Sequence, residues 1–428
     1  MRTITLAYGK TTIPIRIPSG VKTRILRIPF LPAIRDLRNG FNRVLGKPLK
    51  TKPFDRIFHS RDRVAIVIPD KTRRGYFVPI TELLIKRLNG LGIANRQITI
   101  VIARGLHSGH SPQELKELVG QNIYETIQVI DHDAKDLKQL AYLGKTSFGT
   151  PVWLNRVVVE ADRRIICSTV QYHYFAGFSG GRKMISPGVA GAETIKINHQ
   201  LVFNRDKPGK NPRVRVANLA DNPLHLDMLE AARMRGVDFS INLVLNHRRQ
   251  IARIFAGDLV ASHEPACQLV DRTYAIPLAE PADFIIASTG GYPSDFNFIQ
   301  SHKTLEHAVQ GLRPGGHLLA LAECPEGIGS TTFLPWFKYQ SPEEIESVLR
   351  NEFVIHGHTA LCTLLKAQRF KIYFYTHLKP AQVKTMHLTP VRNIQQTINW
   401  ILQAESRPSS VLVITEGFSL LPRVLTGT

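Results

Sequence analysis

Cysteine is scarce in this 428-residue chain: Cys167, Cys267, Cys324 and Cys362 lie far apart and form no CxxC pair. That spacing excludes a disulfide framework and a structural zinc site, and leaves four buried or half-buried thiols in a reducing compartment. Long apolar runs are missing as well, and none approaches the roughly 20 residues a membrane-spanning helix needs. No N-terminal segment combines a basic start, an apolar run and a small-residue cleavage site. The expected location is the cytoplasm. Acidic residues are few, 34 against 55 lysines and arginines, for a net charge of +21. Such an excess raises nucleic acid as a partner. The cations are scattered, however. Their densest groups, Arg73-Arg74 and His247-Arg248-Arg249, are short and lack the interleaved aromatics of a stacking platform. An anionic substrate or a phosphate-bearing cofactor accounts for the charge equally well.

What is present is an ordinary soluble composition, 43% hydrophobic and 21% charged, in a chain long enough for two domains. MRTITLAYGKTTIPIRIP alternates like a β-hairpin turning at Tyr8-Gly9-Lys10. Val64 to Ile68 and Gln97 to Ala103 are continuous apolar runs of the buried parallel-strand kind. Between them Ile80 to Leu88 has helical spacing, with Asn89-Gly90 to stop it. Ser111-Pro112-Gln113-Glu114 and Ser341-Pro342-Glu343-Glu344 are capping boxes with proline at the first helical position. Ile165 to Cys167 reads as a further strand, and Asp238 to Asn246 with Gln250 to Phe255 as a hairpin. Asp283 to Ala287, His317 to Leu321, Phe370 to Tyr375 and Val411 to Ile414 repeat the theme, with helices over Ser301–Leu312 and Ile394–Leu402. The expectation is α/β: two α/β domains, residues 1–275 and 276–428, with the active site in the cleft between them.

In open α/β sheets, ligands sit beyond the carboxyl ends of strands. Asp70 to Arg73, His107, His173, and Gln300 with Lys303 all follow strand runs, and converge if the sheets are doubly wound. Ala176 to Lys183 (AGFSGGRK) sets three glycines, a hydroxyl and two cations within eight residues. The spacing matches neither the P-loop nor the dinucleotide fingerprint. It reads as a backbone nest for an anion with a lysine at its end, or as a plain tight glycine turn. His199 follows past PGVAG, and a neutral imidazole there suits a borderline metal such as nickel or zinc.

Taken together, DKTR at Asp70–Arg73, ARGLH ending at His107, HDAKD at His132–Asp136, His173 to Lys183, PGVAGAETI at Pro187–Ile195, Asn198-His199 and GGYPSDFNFIQSHK at Gly290–Lys303 resemble the nickel-pincer lactate racemase family. The resemblance runs from about Asp70 to the end of the second domain. It implies a racemase or epimerase inverting the hydroxyl-bearing carbon of a 2-hydroxy acid by proton-coupled hydride transfer, through a 2-keto acid. It implies a nickel-pincer nucleotide, a pyridinium mononucleotide with two sulfurs, covalently attached at Lys183, with His199 as the fourth nickel ligand. His107 and His173 match the two catalytic histidines, one for each enantiomer. Asp70, Lys71, Thr72 and Arg73 match the cofactor-contacting segment, and Gln300, Lys303 and Arg73 the groups that hold substrate. Imidazole suits the task because its pKa lies near the operating pH. Partners would be the small 2-hydroxy acid and, transiently, the enzymes that make the cofactor, with neither membrane nor nucleic acid required.

Three positions depart from the family pattern. Ile299 stands where tyrosine is usual, Arg74 where proline commonly follows DxTR, and Arg182 where a small residue precedes the lysine. These leave the identity of the 2-hydroxy acid open. A pincer-dependent hydroxy-acid oxidoreductase and a basic nucleic-acid-binding protein are the other readings. The catalytic histidines, Lys183 and His199 weigh against the last, since binding alone needs none of them.

Overall fold

The computed structural model describes residues 1–71, 77–403 and 410–425. The chain divides into two compact units, one of residues 30–206 and 210–272, the other of 1–29, 207–209 and 273–428.

The first unit is built on a six-stranded sheet. Its order is Ile251–Gly257, Phe239–Leu245, Arg163–Thr169, Val64–Pro69, Ile98–Ala103, Gln128–Asp131. Five strands run parallel, and Ile251–Gly257 adds an antiparallel edge through the expected hairpin. Along Val64–Pro69 the alternation is clean: Val64, Ile66 and Ile68 enter one core, Ala65 and Val67 the other. Two covered faces explain why the strand reads as an unbroken apolar run. The chain builds outward from Val64–Pro69 in one direction and then from Arg163–Thr169 in the other. The strand order therefore reverses between these two neighbours, and such a switch point opens a crevice at the carboxyl ends.

The second unit holds a six-stranded, all-parallel sheet in the order Thr389–Val391, Lys371–Tyr375, Leu312–Leu321, Ala282–Ser288, Ser410–Ile414, Lys22–Leu26. Its last strand comes from the N-terminus, which differs from the expected grouping of residues 1–275. Pairing of Lys22–Leu26 with Ser410–Ile414 brings Met1–Pro29 into this unit. The N-terminal hairpin, Arg2–Tyr8 with Thr11–Ile17, then buries Ile4, Leu6, Ile15 and Ile17 against Phe284, Ile286 and Leu319. A ribbon covers a face where a helix would ordinarily lie. Ala275–Leu278 is a strand paired with Leu421–Val424. The capping boxes and the proline starts are in place at Ser111, while Ser341 accepts from the Glu344 amide. Among the described residues no helix is long and apolar enough to cross a membrane.

Candidate active site

Three adjacent parallel strands deliver the polar groups. Asp70 directly follows Val64–Pro69, His107 follows Ile98–Ala103, and His173 follows Arg163–Thr169. His107 Nδ1–H donates to Asp70 Oδ2 at 2.5 Å. The carboxylate is 7% exposed and the imidazole 63%, so a buried anion orients a ring that solutes can reach. With the proton held on Nδ1, Nε2 carries the lone pair of a general base. The ARGLH segment is braced by its own arginine: Arg104 donates to His107 O at 2.6 Å and pairs with Asp131 and Asp133.

His173 is arranged differently. The amides of Phe175 and Ala176 both donate to its Nδ1 at 3.2 Å, which places the ring proton on Nε2. That nitrogen lies 3.2 Å from Lys183 Nζ. The two histidines are therefore not equivalent in this structure.

Much of the donor capacity of the Ala176–Lys183 loop is spent inside the fold. Its amides are used internally: Ser179 donates to Gln171 O, Gly181 to Ser168 Oγ and Asn242 Oδ1, and Lys183 to Gly180 O. The glycines serve close packing instead. A Cβ on Gly181, at φ +53°, would sit 2.8 Å from the His263 ring, and one on Gly177 would sit 2.2 Å from Asn218 O. What the loop supplies is a lysine held at a fixed place.

His199 is buried on the helix Ala192–Gln200. Its Nδ1–H donates to Ile195 O at 2.8 Å, one turn back, which leaves the lone pair on Nε2. Burial pushes its pKa down to about 3, and a charge on Lys183 acts in the same direction. A neutral imidazole whose other nitrogen is tied to a carbonyl is the form a metal ligand takes. The preceding residue anchors it: Asn198 donates to Leu224 O and, at 2.7 Å, to Asp227, which also accepts from Thr150 and Thr146. Nothing in the sequence pattern marked Asp227. Alanine there leaves three buried donors unmatched, and should lower unfolding stability by about 3 kcal/mol in a urea titration. A loss below ~1 kcal/mol would show that the cluster is not what holds the helix.

HDAKD acts as a buckle. The fully buried His132 donates from Nε2 to Ala190 O, its Nδ1 accepts from Asn155, and Ala192 N donates to Ala134 O. PGVAG is thereby fixed beside the ARGLH segment, where Gly105 N donates to Gly188 O. Lys71 Nζ pairs with Glu114 at 3.1 Å, so its charge is directed to the capping-box carboxylate. Its amide donates to His110 Nε2, and His110 Nδ1–H donates to Asp131. His110, three residues after His107, is a brace that the sequence reading missed. Thr72, Arg73 and Arg74 lie outside the described residues.

In the second unit, Gln300 and Lys303 lie one turn apart on the helix Phe298–Ala308, whose N-cap Asn297 accepts from Gln300 N. Lys303 Nζ donates to Gln300 Oε1 at 2.8 Å and lies 4.8 Å from the centre of the Phe418 ring. Asp295 of the Gly290–Lys303 motif serves the fold. Buried Asp295 accepts from the amides of Gly9 and Glu323, tying the N-terminal turn to this loop.

A family model for the lactate racemase N-terminal domain matches residues 8–210, and one for the lactate racemase C-terminal domain matches 278–421. The lactate racemase of Thermoanaerobacterium thermosaccharolyticum is 30% identical over 433 residues, 99% of this chain and 100% of that protein. The chain belongs to the lactate racemase family. A second lactate racemase, from Lactiplantibacillus plantarum, is 27% identical over 385 residues, 88% of this chain and 89% of its own length. The structure of the Thermoanaerobacterium lactate racemase apoprotein superimposes with a TM-score of 0.85 at 28% identity, covering 99% of this chain and all of that one. A Thermotoga maritima protein shares the fold, with a TM-score of 0.65 at 15% identity over 91% of this chain and 97% of its own. As a lactate racemase family member, the chain is a racemase and hence an isomerase acting on a small molecule.

Two departures from the family pattern now have a place. Arg182 is 1% exposed and bridges the loop from below, donating to Ala176 O at 2.6 Å and to Gly180 O at 3.4 Å. Burial pushes its pKa down to about 10, so it stays charged at neutral pH. Ile299 packs against the core of the second unit, where an aliphatic side chain is at home.

Proposed function

We propose that this racemase inverts C2 of lactate or a closely similar 2-hydroxy acid, using a nickel-pincer nucleotide covalently joined to Lys183 and ligated through nickel by His199. The observation that carries the reading is His199: buried, neutral, with Nδ1–H on a carbonyl and near enough to Lys183 to be influenced by its charge. Among the described residues no group of three or more His, Cys, Asp or Glu side chains is placed to hold a metal. A metal bound here through one imidazole needs its other donors from a cofactor, and sulfur donors in planar coordination suit nickel.

When bound, the nucleotide supplies a ring carbon that takes the C2 hydrogen of substrate as hydride and gives it back. The chain's residues do the proton chemistry. His107, with Nδ1–H fixed by Asp70, takes the hydroxyl proton of one enantiomer at Nε2, and His173 is the base for the other. Arg73, Gln300 and Lys303 hold the carboxylate, and Asp70, Lys71, Thr72 and Arg73 flank the nucleotide. Arg182 and His263 keep Lys183 in place from beneath.

Intact mass and nickel content after co-expression with the cofactor-making enzymes test this. The wild type should carry an adduct and about one nickel per chain, and Lys183→Ala should carry neither. His199→Ala should keep the adduct but lose nickel. A wild type with no adduct and no nickel sinks the cofactor assignment. Net accumulation of 2-keto acid, in place of equal enantiomers, would mean oxidation and overturn the racemisation scheme.

A further inference from the structure

Lys303 has a neighbour that no motif brought forward. Phe418 belongs to the turn after the Ser410–Ile414 strand, and its ring centre lies 4.8 Å from the Lys303 ammonium. This turn is clamped to the helix that carries Lys303. His307, one turn further along that helix, donates from Nδ1 to Gly417 O at 3.0 Å. Gly417 N donates to Ser288 O at 2.7 Å, and a Cβ on Gly417 would sit 2.4 Å from the Thr304 methyl. Only glycine permits so close an approach. The helix face and the phenyl ring are therefore locked in register from both sides.

We propose that Phe418 is a positioning residue for Lys303, holding the ammonium against its ring face so that it meets the substrate carboxylate already ordered. The inference rests on the reading that Lys303 holds that carboxylate. A lysine left to itself spreads over many rotamers, and fixing it only when substrate arrives would weaken binding. Here two restraints act beforehand: Gln300 Oε1 accepts one N–H at 2.8 Å, and the negative face of the ring attracts the charge. Both leave the ammonium charged, as an anion requires. Because the restraint acts on binding and on the transition state alike, it should appear in KM and not in kcat.

Two measurements test it. In the first, surface lysines of the apoprotein are reductively methylated with 13C-formaldehyde, and the Lys303 signal is assigned by its absence in Lys303→Arg. Ring-current shielding should move that signal upfield in wild type and Phe418→Trp, and not in Phe418→Leu. In the second, the loaded enzyme racemises lactate. Phe418→Leu should raise KM about fivefold, the size of one partly exposed cation–π contact, with kcat held, while Phe418→Trp keeps the wild-type KM. Absence of the upfield shift in wild type overturns the geometry. A shift lost in Phe418→Leu with KM unchanged overturns the functional step. If instead Lys303→Met leaves KM unchanged, the carboxylate assignment of Lys303 fails, and the first measurement, which needs no substrate, still decides the Phe418 geometry.

Discussion

Asparagine in place of Asp70 is expected to lower kcat for racemisation about 10³- to 10⁴-fold with KM nearly unchanged. Asp70 Oδ2 accepts the Nδ1–H of His107 at 2.5 Å, and that bond fixes which nitrogen carries the proton. An asparagine amide can instead donate to Nδ1, which moves the proton to Nε2 and removes the base from the face that meets substrate. The carboxylate also stabilises the imidazolium that forms when the hydroxyl proton arrives, and the amide does not. Exposure separates the two parts: the carboxylate is buried and the ring is open, so the substitution acts through the ring. His107→Ala and His173→Ala should each abolish racemisation while the Lys183 adduct, read by intact mass, persists. Initial rates in both directions with a chiral lactate assay are the measurement. An Asp70→Asn enzyme within tenfold of wild type would remove Asp70 from the proton chemistry, and full turnover in either histidine variant would refute the two-base scheme.

Acid should unfold the apoprotein early. Burial holds His225 at about 2 and His263 at about 3, in both cases with Arg182 adding to the effect, and burial holds His307 at about 4. All three are neutral in the fold and titrate near 6.5 once the chain unfolds. The unfolded state thus binds more protons below that point. Stability is complete above about pH 6.5 and falls as the pH drops, by about 1.4 kcal/mol per unit for each histidine. His225 and His263 share one unit, so at pH 5 these two alone should cost it roughly 4 kcal/mol, a large part of an ordinary domain's stability, and the buried His199 in the same unit adds to the loss. Calorimetric scans should show its Tm falling by about 10 °C between pH 7 and pH 5, before carboxylates begin to titrate. A flat Tm over that interval would refute the assignment of these rings as buried and neutral. One of these rings holds the Ala176–Lys183 loop: His263 donates from Nε2 to Ser179 O at 2.8 Å.

Much of the architecture was legible because its signals are local. Buried parallel strands announce themselves as apolar runs, and Ser-Pro-x-Glu announces a helix start wherever it falls. Val64–Pro69, Ile98–Ala103, Pro112–Val119 and Pro342–Asn351 formed as that chemistry requires. The helix Ile355–Arg369 was not legible, because its buried face includes His358, Thr359, Thr363 and Lys366, and such polar residues break the apolar period. The strand Lys22–Leu26, at the edge of the second sheet, was hidden by its polar alternation and by a partner nearly 400 residues away.

At the site the division is similar. The sequence by itself determined which residue types stand after which strands, and the order of motifs that marks the lactate racemase family. Only the tertiary structure decided what each does locally. It gave the glycines of AGFSGGRK close packing contacts and bonded the Gly181 amide within the fold. It set Asp70 on His107 and gave the two histidines different tautomers, and it made His110, Asp227 and Arg182 braces for Lys71, Asn198 and the Ala176–Lys183 loop. A hydrogen bond between residues 37 positions apart, or a ring 4.8 Å from an ammonium 115 positions away, leaves no periodic trace in the chain. Local chemistry is written along the sequence, whereas protonation and orientation depend on neighbours that only folding brings together.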